Sequence, residues 1–213
     1  MKTKKMLIGM DKERARIIKD LLGRKKGRLL DIGCWDDYEY FKDLDCDFWG
    51  LDKFKVCEMP HFIKQDLDKN TKLPFRDNFF DIVFAFEVLE HLQFPEKIIN
   101  EIKRVIKPDG IILISLPNDY TWDMRIKFLL GKDPFFHFDK KGNISELRHK
   151  TIFKASVAKK WLEKFFPISE IFCLGRFVGE KFLPSRFRNF LARIYPDLFC
   201  RVQIFKIEAK DFK

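Results

Sequence analysis

The chain contains no CxxC pair, and its five cysteines (Cys34, Cys46, Cys57, Cys173, Cys200) are an odd number. It therefore encodes neither a disulfide framework nor a zinc site, and no cluster with metal-ligand spacing stands out, so no metal is expected. No apolar run approaches the roughly 18–20 residues needed to span a bilayer. The leading apolar patch, MLIGM, is too short for a secretory segment and no small-residue cleavage site follows it; a cytoplasmic protein is the expectation. Internal repeats and low-complexity linkers are also missing. With 213 residues, 46% hydrophobic and 35% charged, the expectation is one soluble domain over residues 1–213 whose core needs no staples.

What the chain has in excess is positive charge and phenylalanine. Residues 1–28 hold eleven Lys/Arg against three Asp/Glu, so they carry +8 of the net +10. Such a segment (1–27) reads as a solvated basic helix with Ile17, Ile18, Leu21 and Leu22 as its buried stripe. A segment that attracts phosphate, nucleic acid or an anionic membrane is the alternative. The 25 phenylalanines are scattered through the apolar runs and read as core filling.

Periodicity places helices over about 11–23, 36–44, 95–106 and 151–166 and strands over about 28–32, 48–51, 61–65, 79–85, 111–116, 168–174 and 200–208. Pro95 starts the third helix, and Lys107-Pro108-Asp109-Gly110 is expected to stop it. Near-continuous apolar strands alternating with helices predict a doubly wound, Rossmann-like, mostly parallel seven-stranded sheet with helices on both faces. Residues 119–150, with Trp122, Phe135, Phe136, His137 and His149, show no clear period and read as a lid. Residues 176–199 interleave Arg176, Lys181, Arg186, Arg188 and Arg193 with aromatic residues. They read as an amphipathic helix packed on the sheet, with weak contact to an anionic membrane surface or a homodimer interface as alternatives.

The chemistry concentrates in LLDIGCWDD, residues 29–37. Leu29, Leu30 and Ile32 make a buried strand, Asp31 and Gly33 stand where it must turn, and Gly50-Leu51-Asp52 ends a second strand in a carboxylate. Strand, glycine turn, helix, strand, acid is a nucleoside-binding layout, in which bare backbone approaches the ligand and the second acid accepts the ribose hydroxyls.

This segment resembles the class I S-adenosylmethionine (SAM)-dependent methyltransferases, whose loop reads D-x-G-x-G-x-G, with Trp35 and Asp37 here replacing the second and third glycines. The likeness spans roughly residues 28–166. Phe80 to Leu92, FDIVFAFEVLEHL, is similar to the fourth strand and turn of the small-molecule branch that includes quinone-biosynthesis enzymes. Lys107-Pro108-Asp109-Gly110 with Pro117-Asn118, and Leu147-Arg148-His149 with Thr151, resemble later elements of that branch.

The resemblance implies SAM as cofactor, held by Asp31, Gly33, Cys34, Trp35, Asp52, Lys53, Asp66, Leu67, Phe86 and Glu87. Asp52 is expected on the ribose diol and Asp66 near the adenine amino group. Glu87 takes the SAM ammonium group or the substrate, while Cys34 packs rather than reacts. His91 is the first candidate for a base or substrate-positioning residue, with a helix-start residue bonded to backbone as the bland alternative; His149 is the second. Trp35 leaves two outcomes: a reshaped loop that still binds SAM, or a non-catalytic relative. The expected reaction is methyl transfer to a small-molecule, saccharide or lipid-linked acceptor, at oxygen. An RNA acceptor is disfavoured, because Phe86-Glu87-Val88 stands where an Asn/Asp-Pro-Pro-Tyr-like base-amino motif would be.

Overall fold

The computed structural model describes residues 12–132, 141, 143, 145, 148–175 and 184–212. The expectations attached to residues 1–11, to Phe135, Phe136 and His137, to Leu147, and to residues 176–183 with Arg176 and Lys181 lie outside the described residues. Among those described, no helix is long and apolar enough to cross a membrane.

Seven strands form one sheet: β1 (Gly27–Ile32), β2 (Cys46–Asp52), β3 (His61–Lys64), β4 (Phe80–Phe86), β5 (Ile106–Pro117), β6 (Glu170–Gly175) and β7 (Cys200–Glu208). Their order is β3-β2-β1-β4-β5-β7-β6. The pairs from β3 to β5 are parallel, whereas β7 runs antiparallel to both β5 and β6. Strand order reverses between β1 and β4, so the carboxyl ends of those strands open a crevice where ligands bind in such sheets.

The central strands are apolar on both faces because both faces are covered. Leu30, Ile32, Val83, Ala85, Ile112 and Ile114 pack on one side with α3 (Pro95–Val105) and α5 (Ala155–Leu162). Leu29, Ile82, Phe84, Phe86 and Leu113 pack on the other with α1 (Lys12–Leu22) and α2 (Tyr38–Phe41). The stripe of α1 is buried at Ile17, Ile18 and Leu22, and Arg14, one turn before Ile18, is buried with it.

Three expectations change. Lys107–Gly110 does not separate helix from strand: β5 already begins at Ile106, opposite Phe80, and the ladder resumes at Ile111 opposite Ile82. The four residues bulge out across from Asp81, whose carboxylate accepts the Arg28 N–H at 2.9 Å and Lys107 Nζ at 2.7 Å. The segment after β5 carries α4 (Trp122–Leu129), invisible to periodicity because Ile126, Phe128 and Leu129 are exposed. The helices expected at 36–44 and 151–166 shorten to α2 and α5. In the last excursion, α6 (Ser185–Ile194) and α7 (Pro196–Phe199) precede β7, and the Arg188 carbonyl lies against Gly175 of β6, at 2.4 Å from where a Cβ would sit.

If α1 is a structural layer, Ile18→Ala should cost about 2–4 kcal/mol in urea unfolding. A change under about 0.5 kcal/mol, the usual size for a surface substitution, would return α1 to the status of a solvated appendage.

Candidate active site

At the end of β1 the chain turns through Gly33, which has φ +75°. Its N–H donates to the Leu51 carbonyl at 2.8 Å. A Cβ there would meet Val88 at 2.7 Å, so the position needs glycine for space as well as for conformation. Trp35 follows with φ +34°, a left-handed conformation that costs an ordinary residue about 1–2 kcal/mol. Its N–H donates to Asp52 Oδ2 at 3.1 Å, and its carbonyl accepts from the Cys57 thiol at 3.5 Å. The indole is 43% exposed; a ring with that much surface in water is not wedged into a closed cavity.

Asp52 Oδ1 accepts the Phe54 N–H at 3.0 Å. A carboxylate has more acceptor positions than these loop N–H groups fill, so capacity for a hydroxyl remains. Burial raises the Asp52 pKa, opposed by the backbone N–H groups of Phe54, Trp35 and Lys53. Asp66 caps its own turn through the Asp68 N–H at 3.1 Å, with Lys53 Nζ 3.8 Å away. Leu67 is buried in the core. Cys34 is fully buried, and its Sγ lies 2.8 Å from where a Gly50 Cβ would be. Burial and the nearby Asp31 and Asp52 push its thiol pKa far up, so it packs and is not a nucleophile.

Behind the loop lies a buried cluster of acids. Asp31 is fully buried, and neither carboxyl oxygen has a hydrogen-bond partner among the described residues. Burial, followed by Asp37 and Asp52, drives its pKa well up. Asp37, also buried, is raised to about 7 by burial, with Arg14 pulling the other way and Asp36, Glu87 and Asp52 adding to the rise. Glu87 sits just past β4 with φ +49°, its N–H held by the Ser115 carbonyl at 3.2 Å and Ser115 Oγ at 3.1 Å. Burial raises its pKa too, against Arg14 and His149.

The cation facing this group is Arg14, whose Nη2 donates to Ser115 Oγ and lies 3.6 Å from Glu87 Oε1. Its guanidinium stands 5.7 Å over the Phe86 ring, and Phe86 itself packs into the core against Phe84, the two rings tilted with centroids 4.7 Å apart. Arg14 and Ser115 were not among the expected site residues. The available signal was a charged residue placed on the apolar stripe of α1, four before Ile18.

The two expected histidines come together. His91 ends a short 3-10 turn (Leu89–His91), and its Nδ1 is 3.0 Å from the Arg148 carbonyl. His149 is buried, with Nδ1 2.8 Å from Asp119 Oδ1. The second Asp119 oxygen accepts the Phe153 N–H at 2.9 Å. The imidazoles are 4.9 Å apart in an edge-on arrangement. Burial lowers the His91 pKa, favouring the neutral ring at neutral pH. Glu90, beside them, is fully buried. Although no ligand cluster was expected, Glu90, His91 and His149 bring potential ligand atoms within 4.8 Å of one another. The 58 positions separating the two histidines hid the grouping from sequence spacing.

Residues 6–164 match the family described as "Methyltransferase domain". The chain belongs to the SAM-dependent methyltransferases. An uncharacterised protein of Methanocaldococcus jannaschii is 29% identical over 81% of this chain and 78% of its own length. The sterol 24-C-methyltransferase erg6 of Schizosaccharomyces pombe is 31% identical over 48% of this chain and 30% of its own. A tRNA U34 carboxymethyltransferase of Nautilia profundicola is 27% identical over 46% and 37%. The methyltransferase thus spans about a third of the length of those last two relatives. A SAM-dependent methyltransferase from Archaeoglobus fulgidus shares the fold with a TM-score of 0.60 and 19% identity, over 91% of this chain and 94% of that one. Haemonchus contortus phosphoethanolamine N-methyltransferase 2, solved with SAM, gives a TM-score of 0.56 at 15% identity, over 91% and 51%.

SAM is the cofactor of this family, and two features of the crevice suit it. Asp52 retains acceptor capacity for a hydroxyl, and the buried carboxyls Asp31, Asp37, Glu87 and Glu90 outnumber the guanidinium groups of Arg14 and Arg201 that act on them, which favours a ligand bearing a sulfonium and an ammonium group.

Trp35→Gly should therefore raise stability by about 1 kcal/mol through release of backbone strain and leave S-adenosylhomocysteine affinity within twofold; a loss of affinity would make the indole part of the cradle. For Asp37, the unfolded carboxyl ionises near pH ~3.9 and the folded one at about 7. The folded state thus holds the extra proton, and stability falls as pH rises between those values and levels off above them. Asp37→Asn should abolish that slope, so the gain over the parent in urea midpoint is larger at pH 8 than at pH 5.

Proposed function

We propose that this methyltransferase transfers a methyl group to the oxygen of a small-molecule, saccharide or lipid-linked acceptor, using the crevice at the carboxyl ends of β1, β2 and β4. The observation that carries the reading is the Asp52 carboxylate: pinned by loop N–H groups in a partly desolvated setting, it keeps acceptor capacity for a hydroxyl. A charge-assisted hydrogen bond of that kind contributes about 1.5–3 kcal/mol.

Bound SAM supplies a methyl group on an activated sulfonium. The chain's own residues do the rest. Asp52 holds the ribose diol, and Asp66 and Leu67 border the adenine. Gly33, Cys34 and Trp35 contribute backbone beneath the methionine half. Asp31 and Glu87 offer carboxyls to the ammonium group. Lys53, whose Nζ lies 3.8 Å from Asp66, and Phe86 flank the site. His91 and His149 meet at the acceptor side, where the neutral ring favoured at His91 suits a hydroxyl that must lose its proton. The work left to the protein is mostly alignment.

Relatives named for a sterol, a phosphoethanolamine and a tRNA substrate leave the acceptor class to experiment. The retained Asp52 and Gly33 geometry argues against a non-catalytic scaffold.

Calorimetry with SAM and S-adenosylhomocysteine tests the reading. Binding should be measurable in the parent, and Asp52→Ala should weaken it by about 1–3 kcal/mol. No heat at millimolar ligand would remove the enzymatic reading. A gel shift of total RNA at physiological salt would redirect it towards a nucleic-acid acceptor.

A further inference from the structure

We propose that Glu90, His91 and His149 form a binding site for one divalent transition-metal ion of the zinc class, beside the acceptor pocket. The donor set is two imidazoles and one carboxylate, a combination that suits zinc and its first-row neighbours and not magnesium or calcium, which prefer all-oxygen shells.

Three features point to a ligand rather than to chance proximity. Both carboxyl oxygens of Glu90 are buried without a hydrogen-bond partner among the described residues, an arrangement that a bound cation would satisfy. Each imidazole has its Nδ1 already engaged, His91 with the Arg148 carbonyl at 3.0 Å and His149 with Asp119 at 2.8 Å. That leaves Nε2 on both rings for a ligand and supplies the outer-shell partners that metal-bound histidines characteristically have. Finally, the two segments are latched together by backbone: the Glu90 carbonyl accepts the N–H groups of Lys150 and Thr151 at 2.8 and 3.0 Å. The ligand-bearing residues are thus held in register before any ion arrives.

His91 Nε2 already lies 3.9 Å from Glu90 Oε1. Donors about 2.0–2.2 Å from a tetrahedral ion stand roughly 3.3–3.6 Å apart, so rotamer adjustments on the order of an ångström close the site. Three protein ligands leave one position open, the form of a site that accepts an oxygen from outside. The ion would hold the acceptor oxygen and lower its proton affinity. That role rests on the acceptor reading above; the metal site itself does not.

The test uses the full chain, stripped with a chelator and titrated separately with Zn2+ and with Co2+, whose visible spectrum reports imidazole ligation. One equivalent should bind. Glu90→Gln and His149→Ala should each weaken binding at least tenfold, and Asp119→Asn, which reaches the cluster through His149, by about tenfold. S-adenosylhomocysteine titrations on the same samples keep the two readings apart and report folding; His91→Asn replaces any variant that fails to fold. Absent stoichiometric binding in the parent, or equal affinity in these variants, overturns the metal site and makes the cluster a proton-relay pair at most. Methyl transfer unchanged after stripping would overturn the ion's role while leaving the site.

Discussion

Charge balance at the carboxyl edge of the sheet governs the rest of this structure. Asp31, Asp37, Glu87 and Glu90 are all buried there, and taking a carboxylate out of water costs several kcal/mol unless something opposite in sign replaces the water. Arg14 supplies part of the answer. From α1 it reaches Ser115 and Glu87 at once, and Ser115 in turn fixes the backbone of Glu87 just past β4. One guanidinium thereby ties the helix on one face to the two central strands at the point where ligands enter. It does not neutralise four acids. The remaining burden is met by protonation, seen in the upward pKa of Asp31, Asp37 and Glu90, or by a cationic ligand, and a sulfonium cofactor is one.

The same edge explains which loop glycine could be given up. At Gly33 a side chain would collide with Val88 at 2.7 Å, an obstacle that no change of rotamer at residue 33 relieves. At Trp35 the cost is torsional, about 1–2 kcal/mol, and the loop offsets it with the Asp52 hydrogen bond and the thiol of Cys57. Steric exclusion is absolute, whereas strain is a quantity that other contacts can outweigh. Glycine stands at residue 33, where both apply, and tryptophan at residue 35, where the positive φ alone does. Asp37 belongs to a third case, since its price is electrostatic and depends on pH.

Strands were legible because burial on both faces leaves apolar runs that survive any local propensity, as in Phe80–Phe86. Gly33 and Asp52 were legible because a strand end followed by a turn is a local pattern. Arg14, Asp119 and the approach of His149 to Glu90 were not, since each depends on a contact across 30 or more positions that only the sheet's crossovers create. α4 escaped for the opposite reason. Its apolar residues Ile126, Phe128 and Leu129 face water, so a rule that assumes apolar means buried finds no face.

The basic excess of the N-terminal region has to be reread in this light. Within the described part, Arg14 is consumed by Ser115 and Glu87. Lys19 reaches Asp43 at 2.6 Å, Lys25 the Asp109 carbonyl at 2.6 Å, and Lys26 pairs with Asp45. Arg28 lies 4.4 Å over the Phe79 ring. These cations point to different elements around the sheet instead of along one face, and those held by carboxylates have already spent much of their field. A polyanion gains affinity from cations that release counterions together along one track, so a count of lysines and arginines overstates what this segment offers to nucleic acid. Within α1 itself, Arg14 reaches Ser115 of β5 and Lys19 reaches Asp43 just after α2, so part of the helix's charge ties it to its neighbours while Ile17, Ile18 and Leu22 bury its apolar stripe.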